Sequence, residues 1–149
     1  MLRLAFAFVL AIASSGCGSQ TCTRIGCLSS ATFIKDNALG GDVTVRLCRA
    51  GACSEGTVAA GVIGVELPGV LRVVVDNDTS ADRITITFGG TWVTTGQIWM
   101  DDLADGETIT VAIKGSGVSV DTTRVMTYAH SLPNGKQCVP ECRSATVTL

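Results

Sequence analysis

Histidine occurs once in this chain, tyrosine once and proline three times. Aromatic residues make up 5% of the 149 residues, and charged residues 16%. Each shortage excludes something. Any histidine-based chemistry must use His130, and no G-x-S-x-G turn supplies a nucleophile beside it. Lysine and arginine number 11 against 13 acidic residues, a formal net charge of −2. The basic footprint of a nucleic-acid binder is therefore missing. Beyond the N-terminus no apolar run approaches the roughly 20 residues that cross a hydrocarbon core as a helix. Long helical patterns are scarce as well.

What is present is Val, Thr, Ile and Gly in alternation. Val43, Val45 and Leu47 share one face of an extended segment, with Thr44, Arg46 and Cys48 on the other. Ile84, Ile86 and Phe88 alternate with Thr85 and Thr87; Ile109, Val111 and Ile113 with Thr110, Ala112 and Lys114; Ala145, Val147 and Leu149 with Thr146 and Thr148. Such alternation marks half-buried strands with one solvated face. Segments 62–68 and 70–76 also read as extended. Turn signals fall between them, among them Gly40-Gly41, Asn77-Asp78, Gly89-Gly90, Asp105-Gly106, Gly115-Ser116-Gly117 and Pro133-Asn134-Gly135. Short strands punctuated in this way predict an all-β fold, a two-sheet antiparallel sandwich of immunoglobulin-like architecture, disulfide-stapled. The Cys…Trp…Cys spacing of antibody domains is absent, so the expectation concerns architecture alone.

The first residues read as an address. Met1-Leu2-Arg3 is a short positive region, and Leu4–Ala13 is a ten-residue apolar block followed by small residues. This is the pattern of a secretory signal peptide, placed at residues 1–16 and excluded from the fold. Ser15-Gly16-Cys17 resembles the end of a bacterial lipobox. Ser14 departs from it, standing where that family usually has an aliphatic residue. The resemblance implies cleavage before Cys17 and lipidation of its thiol, with acyl chains such as palmitate. Residues 17–27 would then form a lipid-anchored tether and the start of the cysteine framework, and 28–149 a single β-sandwich domain. Two or three acyl chains anchor stably where one binds marginally. Gly18 rather than Asp follows the cysteine, which in that family points to the outer membrane. The competing reading is plain secretion, with Cys17 there by chance.

Parity favours the lipid. Seven cysteines cannot all pair; giving Cys17 to a thioether leaves Cys22, Cys27, Cys48, Cys53, Cys138 and Cys142, which can. Cys48 and Cys53 flank a short hairpin and suit a cross-strand disulfide worth about 2 kcal/mol in chain entropy. The clusters Cys22/Cys27 and Cys138/Cys142 are expected to pair with each other, locking the N-terminal segment to the last hairpin. Such long loops are worth about 4–5 kcal/mol. Local pairing within each cluster is the alternative. Zinc is disfavoured by the spacings and by an oxidising compartment. No metal or other cofactor is expected.

Three further features carry chemistry. His130 could work as a base with a carboxylate such as Asp121, though an edge position near a loop accounts for it and for Tyr128. The acidic loops 76–82 and 101–107 have the carboxylates that Ca²⁺ prefers, but lack the EF-hand pattern, and Asp and Asn favour turns in any case. Trp92 and Trp99 would make a sugar platform only if a break in the strand brought them to one face. Asn77-Asp78-Thr79 matches a glycosylation sequon, which is empty in a bacterial protein.

PNGKQCVPECRSATVTL (133–149) resembles the closing segment of small cysteine-rich bacterial lipoproteins of unassigned function. That implies export and a β-domain. The expected function is a non-enzymatic cell-envelope lipoprotein that binds or scaffolds an envelope protein or glycan. It would be held at the bilayer by its acyl anchor and would not bind nucleic acid. The rivals are an envelope hydrolase using His130 and a carbohydrate- or calcium-binding adhesin-like module.

Overall fold

Period-two segments become strands, and the strands form two packed sheets. The computed structural model describes residues 29–38, 40–89, 91–94, 97–100, 103–115, 117–132 and 141–149, with backbone alone for 91–94 and 97–100. The strands are β1 (Ser30–Asp36), β2 (Val43–Arg49), β3 (Ala52–Val58), β4 (Val65–Glu66), β5 (Val73–Asp78), β6 (Arg83–Gly89), β7 (Thr91–Thr94), β8 (Gln97–Met100), β9 (Thr108–Gly115), β10 (Val118–Val125), β11 (Ala129–Ser131) and β12 (Cys142–Thr148). One sheet runs β11-β12-β1-β6-β5-β4, the other β10-β9-β2-β3, and β7-β8 form a separate ribbon. All pairings are antiparallel except β1 with β12, which is parallel, Ser30 opposing Ser144 and Ile34 opposing Thr148. The expected sandwich is present, with that one parallel seam inside its larger sheet.

Alternation places the core. Phe33, Val75, Ile84, Ile86 and Phe88 from the larger sheet, and Val45, Leu47, Ile109, Val111 and Ile113 from the smaller, are fully buried. Fully burying one such side chain contributes about 1.5–3 kcal/mol. Ala145 and Val147 of β12 and Leu149 just after it pack against this core, as their alternation predicts.

The expectation for segments 62–68 and 70–76 is corrected by the structure. Only Val65–Glu66 of 62–68 is strand, and the second strand begins at Val73, not Val70. The intervening segment is a strap over the β3 edge. Glu55 N–H donates to Pro68 O (3.1 Å), and Ser54 bridges to Gly69. Ser54 Oγ donates to Leu71 O (2.7 Å) and accepts from Leu71 N–H (3.0 Å). A Cβ at Gly69 would lie 2.6 Å from Ser54 Cα, so only glycine fits there. The strap also explains why β3 hides in the sequence. Its inward positions are Ser54, Gly56 and Val58, small where Leu67 and Pro68 press on the strand.

Ala50 and Gly51 join β2 to β3 in a two-residue turn, both with positive φ (47° and 83°). This matches the twist of a tight hairpin. At the far end of the sandwich, buried Asn77 donates its side-chain amide to Gly41 O (2.9 Å), Ala59 O (3.2 Å) and Val58 O (3.3 Å). The β1–β2 loop and the end of β3 meet on one neutral side chain. Asn77→Ala is expected to cost about 2–3 kcal/mol, because three carbonyls, that of Val58 in a buried bond, lose their donor. Urea unfolding followed by circular dichroism measures it; a loss below 0.5 kcal/mol, about the size of an ordinary surface substitution, would contradict this role.

Candidate functional site

The chemistry-bearing side chains gather where the β2–β3 turn, the loop before β9, β11 and the start of β12 come together. The Asp105-Gly106 signal marks a real turn: Gly106 has φ 82°, and Glu107 N–H donates to Ala104 O (3.1 Å). A two-way backbone clasp holds this turn to the segment after β10. Gly106 N–H donates to Met126 O (2.9 Å), and Met126 N–H to Glu107 O (2.8 Å).

Glu107 is the inner hub. Its Oε1 accepts from the Tyr128 hydroxyl (2.5 Å), and its Oε2 from Arg49 Nε (2.6 Å). Arg49 continues the inward row of β2, so its guanidinium closes the end of the core, 5.6 Å over the Phe88 ring. Burial, and then the bond to Glu107, push the Tyr128 hydroxyl well above the usual phenol range. Tyr128 stays a protonated donor.

His130 is the outer hub. Its Nε2 lies 2.7 Å from Asp105 Oδ2, and its Nδ1 lies 3.0 Å from Glu141 Oε1. Asp105 Oδ1 also accepts from Tyr128 N–H (2.7 Å). Glu141 Oε2 is 3.6 Å from Arg143 Nη2, and Arg143 Nη1 donates to Leu103 O. Both ring nitrogens face carboxylate oxygens, an arrangement that only the doubly protonated imidazolium satisfies. The Asp105 bond first, then that to Glu141, raises the His130 pKa above its ordinary value. The Tyr128 N–H first, then His130, lowers that of Asp105.

These contacts replace the sequence expectation for His130. Its carboxylates are Asp105 and Glu141; Asp121 stands on β10 in the other sheet, opposite Ala112. Among the described residues no hydroxyl bonds the ring, and each ring nitrogen is engaged by a carboxylate. Tyr128 and His130 both turn towards the 103–107 loop, Tyr128 buried and His130 exposed.

The two acidic loops lie at opposite ends of the sandwich. Asp76 Oδ1 accepts from Gly64 N–H (2.6 Å). Asp78 Oδ1 accepts from Ser80 Oγ (2.6 Å), Ser80 N–H (2.9 Å) and Ala81 N–H (3.1 Å), and these bonds lower its pKa. Those carboxylates do turn chemistry, while Asp105 and Glu107 serve the two hubs; Asp101 and Asp102 lie outside the described residues. Among the described residues no group of three or more His, Cys, Asp or Glu side chains could hold a metal ion. Nor is any helix long and apolar enough to cross a membrane.

Trp92 and Trp99 are directly opposed register partners of β7 and β8. An uninterrupted strand would send them to opposite faces; the antiparallel pairing of β7 with β8 sets them opposite one another instead. Cys48 and Cys53 form the expected disulfide. Cys142 is disulfide-bonded too, whereas Cys17, Cys22, Cys27 and Cys138 lie outside the described residues. Sequence reasoning overlooked Arg49, Glu141 and Arg143, and took Glu107 only as part of an acidic loop. The available signal was Arg49 itself, a charge on the row of Val43, Val45 and Leu47 that must find a partner at the core's end.

No family model, curated protein or solved structure matches this chain.

Two measurements check the hubs. By NMR, His130 should titrate above the ordinary value near 6.5, and Asp105→Asn should bring it back down. Because folding raises this pKa, the stabilisation from His130 is full below about pH 6.5. It is lost as pH rises through the folded-state value. Asp105 works in the opposite sense: its lowered pKa gives stability above about pH 3.8 that is lost as pH falls through the folded value. A His130 midpoint at or below 6.5 would contradict the double contact. At the inner hub, Tyr128→Phe should cost about 1–2 kcal/mol. Glu107→Ala should cost more, about 2–4 kcal/mol, since it strands both Tyr128 and Arg49. Equal losses by chemical denaturation would show that Glu107 is no shared acceptor.

Proposed function

We propose that this protein is a non-enzymatic lipoprotein of the bacterial cell envelope. In this reading it is cleaved before Cys17, anchored to the outer membrane by acyl chains on that residue, and carries a disulfide-stapled β-sandwich that binds or scaffolds an envelope protein or glycan. The observation that carries the reading is the odd cysteine count. Cys48, Cys53 and Cys142 are committed to disulfides, an oxidising environment suits such bonds, and Cys17 follows an apolar leader and Ser15-Gly16.

The hydrolase alternative draws little support from the site. A general base needs a free lone pair within reach of the proton it takes. The His130 ring instead lies between two carboxylates as a tie between the 103–107 loop and the approach to β12. The sugar-binding alternative keeps one favourable observation, the direct opposition of Trp92 and Trp99 in register.

Mass spectrometry of membrane-extracted protein should find a peptide that begins at Cys17 and carries added acyl mass, with no free thiol among the other six cysteines. An unmodified chain in the soluble fraction would overturn the anchor. Turnover of a hydrolase substrate that is abolished by His130→Ala, with the fold intact, would overturn the non-enzymatic part.

A further inference from the structure

The Cys48–Cys53 disulfide differs in placement from one that ties distant segments together. It joins directly opposed residues of β2 and β3 across a two-residue turn, with Cα atoms 4.1 Å apart. Register pairs Arg49–Ala52 and Leu47–Ser54 flank it, and β2 is also paired along its other side by β9. The backbone ladder already holds these strands. Both cysteines are half-exposed on the outer face of the smaller sheet. Arg46, exposed on the same face, reaches Cys53 Sγ with Nη2 at 3.7 Å. Its Nε lies 3.6 Å from Glu55 Oε2, which draws off part of the charge. Thr110, the neighbour of Cys48 in β9, is bonded to Thr123 (3.0 Å). The side chains beside the sulfurs on that flank are short.

We propose that Cys48–Cys53 is a thiol–disulfide exchange site that takes a dithiol, or its disulfide, as substrate. Arg46 holds the thiolate that departs from Cys53. The thiolate of the substrate attacks Cys48 Sγ and forms a mixed disulfide. The Cys48–Cys53 bond breaks, and its electron pair leaves on Cys53 Sγ beside the guanidinium. The second thiol of the substrate, deprotonated, then attacks its own sulfur in the mixed disulfide and releases Cys48 as thiolate. Two electrons have passed to the protein, the two thiol protons of the substrate have gone to solvent, from which the cysteine thiolates can be reprotonated, and the dithiol has become a disulfide. A cation at the leaving sulfur lowers its pKa and so speeds its departure. The reduced pair stays opposed on an intact ladder, poised for the reverse reaction by proximity. The site does not depend on the lipid anchor.

The test uses the full chain in native buffer with dithiothreitol. Samples are quenched in acid and alkylated, and cysteines are mapped by mass spectrometry. Cys48 and Cys53 should open before Cys142, with the far-ultraviolet circular dichroism unchanged. Arg46→Gln should slow the opening about threefold, as expected for a leaving thiol whose pKa rises by about one unit. Arg46→Lys should keep most of the rate, and Glu55→Gln should raise it. Glutathione, a monothiol that cannot complete the second step and whose adduct Cys53 can only reverse, should be found at the acid quench on Cys48 and not on Cys53. The proposal is overturned if the pair opens only in denaturant, if Arg46→Gln opens at the wild-type rate, or if the glutathione sits on Cys53.

Discussion

A one-residue slip of β2 would turn Val43, Val45 and Leu47 into solvent and drive Arg46 and Cys48 into the core. Register is the constraint on which the rest of the structure depends. The side-chain period of a strand is two, so a slip reverses every residue at once. Correct register puts Cys48 against Cys53, sends Arg46 outward to Glu55 and Cys53, and carries Arg49 inward over Phe88. A buried face, a disulfide and a charged cap at the core's end therefore follow from one alignment. The two-residue turn at Ala50-Gly51 sets that alignment locally. The β2–β9 pairing extends it to the next strand, Leu47 against Val111.

The legible strands were those whose inward residues are large and aliphatic and whose outward residues are polar. β2, β6, β9 and β12 meet that condition, and their alternating faces agree with the burial observed. β1 does not. It lies inside its sheet between β6 and β12, with just Ala31 and Phe33 buried, and Ile34 on its other face breaks the alternation. β3 was recognisable as the return arm of the cysteine hairpin. Its pattern is silent because the strap supplies Leu67 and Pro68 where a free strand would carry its own bulk. The stretch 62–76, read as two extended segments, misled ahead of Val73 for a related reason. Its Leu67 is buried as part of a strap, while Val62, Ile63 and Val70 stay exposed. Composition alone does not separate a covering loop from a strand.

At the site the residue type was readable and the partner was not. His130 stood out as the only histidine, yet its carboxylates come from two segments, one before β9 and one before β12. Asp105 was visible as part of an acidic turn. That it would bond Tyr128 N–H and His130 together depends on the clasp between Gly106, Met126 and Glu107, which is backbone geometry. The choice of Asp121 failed on topology: β10 belongs to the smaller sheet and β11 to the larger. Arg49 was the one partner-seeking residue that a strict period-two count would have flagged, since it lies on the apolar row.

The two ends of the sandwich are closed by different chemistry, and this separates their responses. Asn77 is neutral and donates to three carbonyls, so these bonds contain no titrating group of their own. At the other end the outer hub depends on charge at His130, Asp105 and Glu141, while the inner hub places Glu107 between Tyr128 and Arg49 behind it. Loss of the His130 proton loosens the outer contacts first, because a neutral ring can donate to one carboxylate only. Arg49 is not exposed to that change directly. It belongs to the pair that closes the β2–β3 turn, one residue from Cys48, and is held by Glu107 and by the Phe88 ring. The turn is therefore anchored to the core by an ion pair and a ring contact that do not involve sulfur. Opening the disulfide removes one of several restraints on the hairpin and leaves its register in place.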